Sequence, residues 1–129
     1  MPYGVNIADT AQLLNLQDCA NVTSSGNGTG VDLQDYDGEA IAILKVGAAT
    51  AGTNPTMDCK LQESADDSTY TDVSGGGFTQ VTTTASQQKI SLNTDELKRY
   101  VRLVKTIGGT SSPSFPMSAK IVAWKKNPA

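Results

Sequence analysis

Short runs rich in Thr, Val and Ile recur from residue 31 to residue 124 and alternate with stretches of Gly, Ser, Asn and Pro. β-Branched residues favour strands and the residues between the runs favour turns, so the pattern predicts about eight strands and no long helix. At 129 residues the chain is most simply one domain. We therefore expect an all-β fold, a two-sheet antiparallel sandwich of jelly-roll type, although periodicity does not separate it from an immunoglobulin-like sandwich.

The predicted strands are residues 31–36, 39–46, 57–62, 69–73, 78–81, 89–92, 99–107 and 117–124, with loops at 47–55 and 108–116. In residues 39–46 apolar side chains point to both faces, so both faces are expected to be at least partly covered. Residues 56–73 are predicted to form a hairpin, and Asn93 is predicted to cap a single helical turn at 93–96. Met57, Cys59 and Leu61 alternate with polar residues, which predicts one wet face and makes Cys59 a small buried hydrophobe.

The first 30 residues differ from the rest and predict an arm. Ile7, Ala11 and Leu14, with Leu13 beside them, would share one face of a short helix over residues 7–16. Residues 23–30 are a flexible Gly/Ser tract without a core-forming side chain. We therefore expect an arm with a hinge at 1–30 and a sandwich domain at 31–129. The arm either packs on its own domain or reaches a neighbouring molecule, where it would become ordered on binding.

Few residues of the chain have the chemistry that catalysis requires. There is no histidine and no Cys-x-x-Cys spacing, so the common metal-binding and nucleophile–histidine patterns are absent from the sequence. Asp66, Asp67 and Asp72 could offer hard oxygen ligands to a weakly bound calcium ion, but a solvated hairpin tip is the simpler interpretation. We therefore expect no enzyme activity, no cofactor and no metal.

The sequence also indicates the cellular compartment in which the protein is expected to work. The N-terminus has no basic segment followed by an apolar one, so we expect no secretory signal and a role in a cytoplasm. In that compartment, Cys19 and Cys59 are expected to be reduced thiols rather than a bridge. The longest apolar stretch, residues 40–44, is far shorter than the roughly 20 residues that span a bilayer, so no membrane partner is expected.

Charge is polarised along the chain. Residues 1–44 contain acidic residues and no Lys or Arg, whereas residues 89–129 contain eight basic residues and two acidic ones. One interpretation is that an acidic region meets a basic surface on another copy or on a partner, and the other is ordinary solvated strand faces. Arg99 and Arg102 could pair with carboxylates of a partner. Nucleic-acid binding is not expected, because strand alternation splits these cations between two faces and the net charge is −3.

Several stretches of the chain are similar to a known class of proteins. They are 57–73 (MDCKLQESADDSTYTDV), 78–81 (FTQV), 97–116 (LKRYVRLVKTIGGTSSPSFP), 30–33 (GVDL) and 36–38 (YDG). Together they resemble small proteins encoded beside the major capsid protein of tailed bacteriophages, some of which are jelly-roll head decoration, or cement, proteins. The resemblance covers residues 30–124 and contains no catalytic motif.

The resemblance implies a structural role in a virion. Such proteins are not enzymes; they bind the outside of the expanded head, often as dimers or trimers, and bridge subunits of the major capsid protein. It implies synthesis in the host bacterial cytoplasm and a final place on the capsid exterior. The candidate interface with a partner consists of Ile7, Leu13, Leu14, Leu16, Arg99 and Arg102.

Two other functions stay open from the sequence. The first is a β-sandwich protein of the phage tail, neck or fibre. The second is a carbohydrate-binding or adhesion module, which usually presents an exposed aromatic platform. Against the second, the larger aromatic side chains are scattered along the chain and strand phase does not group them; they are Tyr3, Tyr36, Tyr70, Tyr100 and Trp124. Of these, Tyr100 and Trp124 are predicted to lie in the core or in an interface.

Overall fold

The computed structural model describes residues 11–125 and is all-β, with no helix among these residues. Its eight strands are β1 (Ala11–Val22), β2 (Gly26–Asn27), β3 (Val31–Asp32), β4 (Glu39–Val46), β5 (Ala51–Ser64), β6 (Thr71–Gly77), β7 (Ser86–Asn93) and β8 (Tyr100–Trp124). All the strand pairs are antiparallel. The predicted all-β antiparallel fold of sandwich or jelly-roll type is confirmed. No helix in this part of the chain has the length and apolar character needed to cross a membrane.

Strand β8 organises both layers of the fold. Its second half pairs with β1 on one side and with β4 on the other, and β7 extends this layer beyond β4. Its first half pairs with β5 on one side and with the short strands β2 and β3 on the other, and β6 extends that layer beyond β5. We call the layer β1-β8-β4-β7 sheet I and the layer β3/β2-β8-β5-β6 sheet II.

The predicted loop at 108–116 is wrong, because β8 runs through it without a break. The chain bends there instead. Gly109, Ser111 and Ser112 have φ values of 109°, 61° and 53°, and the pairing with β5 shifts register twice between Ala51 and Thr56. Such bulges re-aim a strand and allow it to pass from one sheet to the other. The predicted loop at 47–55 shortens to 47–50, since β5 begins at Ala51 and follows β8 around the bend.

The core lies between the two sheets, and in β5 it follows the predicted alternation of Met57, Cys59 and Leu61. On β4, the even-numbered apolar residues are buried while Ile41 and Ile43 lie on the other face. The prediction that Cys59 is buried is confirmed, and its neighbour Asp58 is exposed. Buried side chains of both sheets form one cluster; among them are Leu44, Val46, Met57, Leu61, Val101, Leu103, Phe115, Met117 and Ile121.

Residues 11–22 form a strand, so the helix predicted over residues 7–16 is wrong from Ala11 onward. An isolated helix of about ten residues is marginal in water. As a strand against β8, the segment satisfies its backbone groups and buries Leu16 in the core. Of the two possibilities for the arm, the described part packs on its own domain. A separate arm stays a prediction for residues 1–10, including Ile7, which lie outside the described residues.

Two local predictions hold. Strands β5 and β6 form the predicted hairpin, with Gln62 opposite Asp72 and Glu63 opposite Thr71. At 93–96 the chain turns as predicted: the backbone N–H of Asp95 donates to Oδ1 of Asn93 at 3.0 Å, which is the predicted cap. The segment is a turn between β7 and β8 and does not continue into a helix.

Candidate partner-binding surface

The outer face of sheet I carries a row of apolar side chains that lies across three strands. Leu13 of β1 and Ile41 of β4 both lie opposite Val122 of β8, one on each side of it. Side chains at paired positions point to the same face, so the three form one row, and Ser91 of β7 ends it. Leu13 is 70% exposed and Ile41 is 36% exposed. We call Leu13, Val122 and Ile41 the apolar row.

One end of this face is acidic and contains the single tryptophan. Trp124 lies two residues beyond Val122 on β8, therefore on the same face, and is 38% exposed. A groove of about 650 Å³ opens beside it and is lined by three carboxylates, Asp37, Glu39 and Glu96. The groove is completed by Ala40, Ile41, Ser91, Leu92 and Asn93. We call this the acidic end.

The opposite end of the same face is basic. Lys120 of β8 lies opposite Ile43 of β4, and Ile43 lies opposite Lys89 of β7. Lys45, two residues farther along β4, is exposed on the same side. Asp18 of β1 adds one negative charge near this end. We call this the basic end, and it is separated from the acidic end by the apolar row.

This face has the character of a protein interface. Contiguous exposed apolar side chains with a polar border mark interaction sites, and tryptophan is enriched at the centres of interfaces. Charges of opposite sign at the two ends would fix the direction in which a partner lies on the face. The surface therefore offers both apolar area and orientation.

The structure separates the leucines of the predicted interface. Leu13 points to solvent on the outer face of sheet I, as a partner-binding residue should. Leu14 is partly buried and packs against the core, and Leu16 is only 4% exposed, so both lie on the inner face of sheet I. The alternation of a strand, which replaces the predicted helix, is the reason, since neighbouring residues then point to opposite faces.

Arg99 forms an ion pair within the chain. Its Nε donates to Oδ1 of Asp32 at 3.0 Å and its Nη2 donates to Oδ2 at 2.9 Å. The hydrogen bond from Arg99 holds the pKa of Asp32 below its ordinary value. Both side chains are close to half exposed. The acidic N-terminal segment and the basic C-terminal segment thus meet here inside one molecule.

Arg102 is also held within the chain. Its Nε and Nη2 donate to Oε1 of Gln62 at 3.1 and 2.8 Å. Its guanidinium lies over the ring of Tyr70, 3.9 Å from the centroid, which is within cation–π distance. Pairing of Arg99 or Arg102 with carboxylates of a partner stays a prediction. In such a pair each guanidinium group would already be held in one orientation by its contacts within the chain.

The acids at the β5–β6 turn serve separate local contacts. Asp66 accepts hydrogen bonds from the Ser64 hydroxyl and from the backbone N–H groups of Ser68 and Thr69. Asp72, on β6, bonds instead to Lys60 and Gln62 of β5. Within residues 11–125 no group of three acidic or cysteine side chains is placed to hold a metal ion.

The two cysteines are free thiols in different environments. Cys19 is exposed on β1, whereas Cys59 is buried in sheet II. Burial raises the pKa of Cys59 to about 12, so its thiol is poorly nucleophilic near neutral pH.

The predicted interface does not include Ile41, Glu39 or Lys120. Alternation within one strand indicates which of its residues share a face, but it does not show that the outer faces of β4 and β8 are continuous. That continuity follows from the pairing of β4 with β8.

Comparisons with known proteins bear on the fold. No protein-family model matches the chain, and no curated protein matches it in sequence. The SPBc2 prophage-derived protein YomS is similar in structure, with a TM-score of 0.53 and 10% identity over 88% of this chain and 92% of YomS. VP2 of the infectious bursal disease virus subviral particle is also similar in structure, with a TM-score of 0.50 and 14% identity over 89% of this chain and 32% of VP2.

A third structure, of the disulfide-linked pili that form Bacillus endospore appendages, gives a TM-score of 0.44 and 16% identity over 91% of each chain. The first two likenesses show that the fold is one found in a prophage-derived protein and in a chain of a viral particle.

Proposed function

We propose that the chain is a non-enzymatic structural protein of a virion that binds the outer surface of a phage head and bridges subunits of the major capsid protein. The observation that carries the proposal is the outer face of sheet I. It leaves large apolar side chains in solvent between an acidic and a basic end, which is the character of a protein that works as part of an assembly.

Other features support the proposal. The fold is shared with a prophage-derived protein and with a chain of a viral particle. The sequence stretches 57–73 and 97–116, which resemble head decoration proteins, form the β5–β6 hairpin and most of β8, the strand shared by both sheets. The part of the sequence that carries the resemblance is therefore the framework of the fold.

The energetics of such a role require only modest contacts. A protein that binds the assembled shell and not the loose subunits stabilises the shell by mass action. Each copy that bridges two subunits makes its second contact at high effective concentration, so weak single contacts add up. An exposed face with charged and apolar side chains, such as the outer face of sheet I, can make weak contacts of this kind.

The test is binding to expanded heads that lack decoration. The purified chain is mixed with heads of the phage that encodes it, sedimented, and imaged by cryo-electron microscopy. We expect saturable binding and regular density on the outer surface that contacts two or more capsid subunits. Loose capsid subunits are the control and should bind far less. A bare shell with the protein left in solution would refute the proposal.

A carbohydrate-binding module is the second candidate, and the groove beside Trp124 is the observation that favours it. An exposed indole bordered by Asp37, Glu39 and Asn93 offers a stacking surface with hydrogen-bonding groups around it. Because Trp124 is the single tryptophan, intrinsic fluorescence reports on this groove directly. A saturable emission change with a panel of bacterial surface glycans, abolished in Glu39→Gln, would support this candidate, and no change would exclude it.

A further inference from the structure

We propose that a second copy of this chain covers the outer face of sheet I, with the strands of the two copies antiparallel. The inference assigns the outer face of sheet I to the contact between two copies, so that a dimer would meet the shell through its other surfaces; it rests on the proposed role in an assembly. It comes from the distribution of charge on the face, where the acidic and basic ends lie on opposite sides of the apolar row.

Symmetry limits how two such faces can meet. Two identical sheets stacked face to face are related by a two-fold axis that lies between them, parallel to both faces. If the axis runs along the strands, each acidic end lies over the other acidic end. If it runs along the apolar row, across the strands, the rotation reverses strand direction and places each acidic end over a basic end. Only the second arrangement brings opposite charges together.

The register of sheet I gives the contacts of this arrangement. Each member of the apolar row meets its own counterpart, so Leu13, Val122 and Ile41 form a continuous apolar strip on the axis. Positions two residues beyond the row on one copy face positions two residues before it on the other. Trp124 therefore faces Lys120 of the second copy, a pairing that cation–π attraction favours.

The same rotation places Glu39 of β4 over Ile43 of the second copy, with Lys120 and Lys89 on the strands at either side of that residue. Stacked sheets are rotated by about 30° relative to each other, and this rotation moves the Glu39 carboxylate toward the ammonium group of either Lys120 or Lys89. Because the pair is symmetric, the contact occurs twice, once at each end of the face.

The size of the face predicts how strong the pair is. Four strands about 4.8 Å apart and about six residues long cover roughly 400 Å² per copy. Two copies together would bury roughly 800 Å², which is below the roughly 1,200–2,000 Å² of stable specific interfaces, so we expect a weak, dissociable dimer rather than an obligate one. A two-fold pair is also closed, so it does not grow into a polymer, and it carries every other surface of the chain twice, as bridging requires.

The experiment uses charge reversal at the two ends separately. One variant carries Glu39→Lys with Glu96→Lys, and the other carries Lys89→Glu with Lys120→Glu. Sedimentation equilibrium from about 1 µM to about 1 mM covers the expected dissociation constants. We expect wild-type chains to dimerise, each variant alone to bind itself about tenfold or more weakly, and an equimolar mixture of the two variants to recover a dimer.

Recovery in the mixture is the decisive readout, because misfolded variants would not restore each other. Leu13→Lys should also weaken the dimer, whereas Thr106→Lys is the matched control, since Thr106 is exposed on the outer face of sheet II opposite Asp58. A blue shift of Trp124 emission with rising concentration provides a second measurement of the same contact.

Two results would overturn the inference: a wild-type monomer throughout the concentration range, or a dimer that neither charge-reversal variant weakens. The outcome is separable from that of the proposed function. Monomers that still decorate heads would refute the dimer and leave the virion role intact, with the shell covering the outer face of sheet I. Dimers that fail to bind heads would refute the proposed virion role and leave the dimer intact.

Discussion

Replacing Leu16 with alanine tests whether residues 11–22 belong to the folded domain. In the structure, Leu16 is 4% exposed and lies in the cluster of buried residues that joins both sheets. If the segment were instead a detachable arm, the same side chain would be solvated in the isolated protein, and its loss would change stability little.

The magnitude follows from the burial. Leu→Ala removes three carbon atoms worth about 0.8 kcal/mol each on transfer from water, roughly 2.4 kcal/mol in total. The cavity left behind adds to this, and measured changes at buried leucines span about 2–5 kcal/mol. Since β1 is paired on one side only and can relax, we expect the free energy of unfolding to fall by about 2.5–3.5 kcal/mol. This is a large part of the roughly 5–15 kcal/mol of a typical domain.

The assay is urea denaturation followed by far-ultraviolet circular dichroism. With a slope of about 2 kcal/mol/M, the midpoint should fall by about 1.2–1.8 M. Leu13→Ala is the matched control, because Leu13 lies on the same strand three residues away but is 70% exposed. It should shift the unfolding free energy by no more than about 0.5 kcal/mol at protein concentrations where the chain is monomeric.

Equal, small effects of the two substitutions would refute the reasoning. They would mean that β1 is not docked in solution and that the N-terminal segment is an arm, as one interpretation of the sequence holds. A large effect of Leu16→Ala alone would also mean that removing residues 1–30 destabilises the sandwich, so such a truncation is a poor test of partner binding.

Three further predictions concern single groups. Because Arg99 lowers the pKa of Asp32, the ion pair stabilises the fold at pH values above the ordinary carboxyl pKa, and this contribution disappears as pH falls through the lowered pKa. Since both side chains are near half exposed, we expect Asp32→Asn to lower the free energy of unfolding by about 0.2–1 kcal/mol at neutral pH and to leave it unchanged in strong acid. Urea unfolding at both pH values measures the two effects. The exposed thiol of Cys19 should react with a disulfide reagent in the native protein, while Cys59, with its pKa raised to about 12, should react only after unfolding; equal rates for the two would contradict the burial. Gly109→Ala should lower stability by about 1–3 kcal/mol in thermal unfolding, because φ is 109° and a Cβ would lie 2.7 Å from a carbonyl oxygen of β5; an unchanged midpoint would mean that the bend of β8 is not as described.

The predictions that held are those that depend on neighbouring residues. The alternation in β5 gave the buried face of that strand, and it placed Cys59 inside. The Asn93 cap and the β5–β6 hairpin depend on contacts close in the chain, so local chemistry sufficed. The same local reasoning found Leu13 as a candidate interface residue, although for a helix that the structure does not contain.

The predictions that failed depended on partners far away in sequence. Glycines and prolines at 108–116 are typical of a loop, yet β5 pairs along this stretch and carries β8 through a bulged bend. Residues 11–16 fit a short amphipathic helix, yet the open side of β8 offers them backbone hydrogen bonds that an isolated helix cannot match. In both cases tertiary pairing overrode local propensity.

The sequence by itself determined an all-β chain and, for residues 57–62, the side of the strand that is buried, because alternation is a property of adjacent residues. The structure alone decided that Leu13, Val122 and Ile41 lie in one row with acidic and basic ends on either side. These residues come from β1, β8 and β4, and a shift of one residue in either pairing would turn one of them into the core. The candidate surface is therefore a consequence of register, which is set by packing across the whole sandwich and not by any one segment.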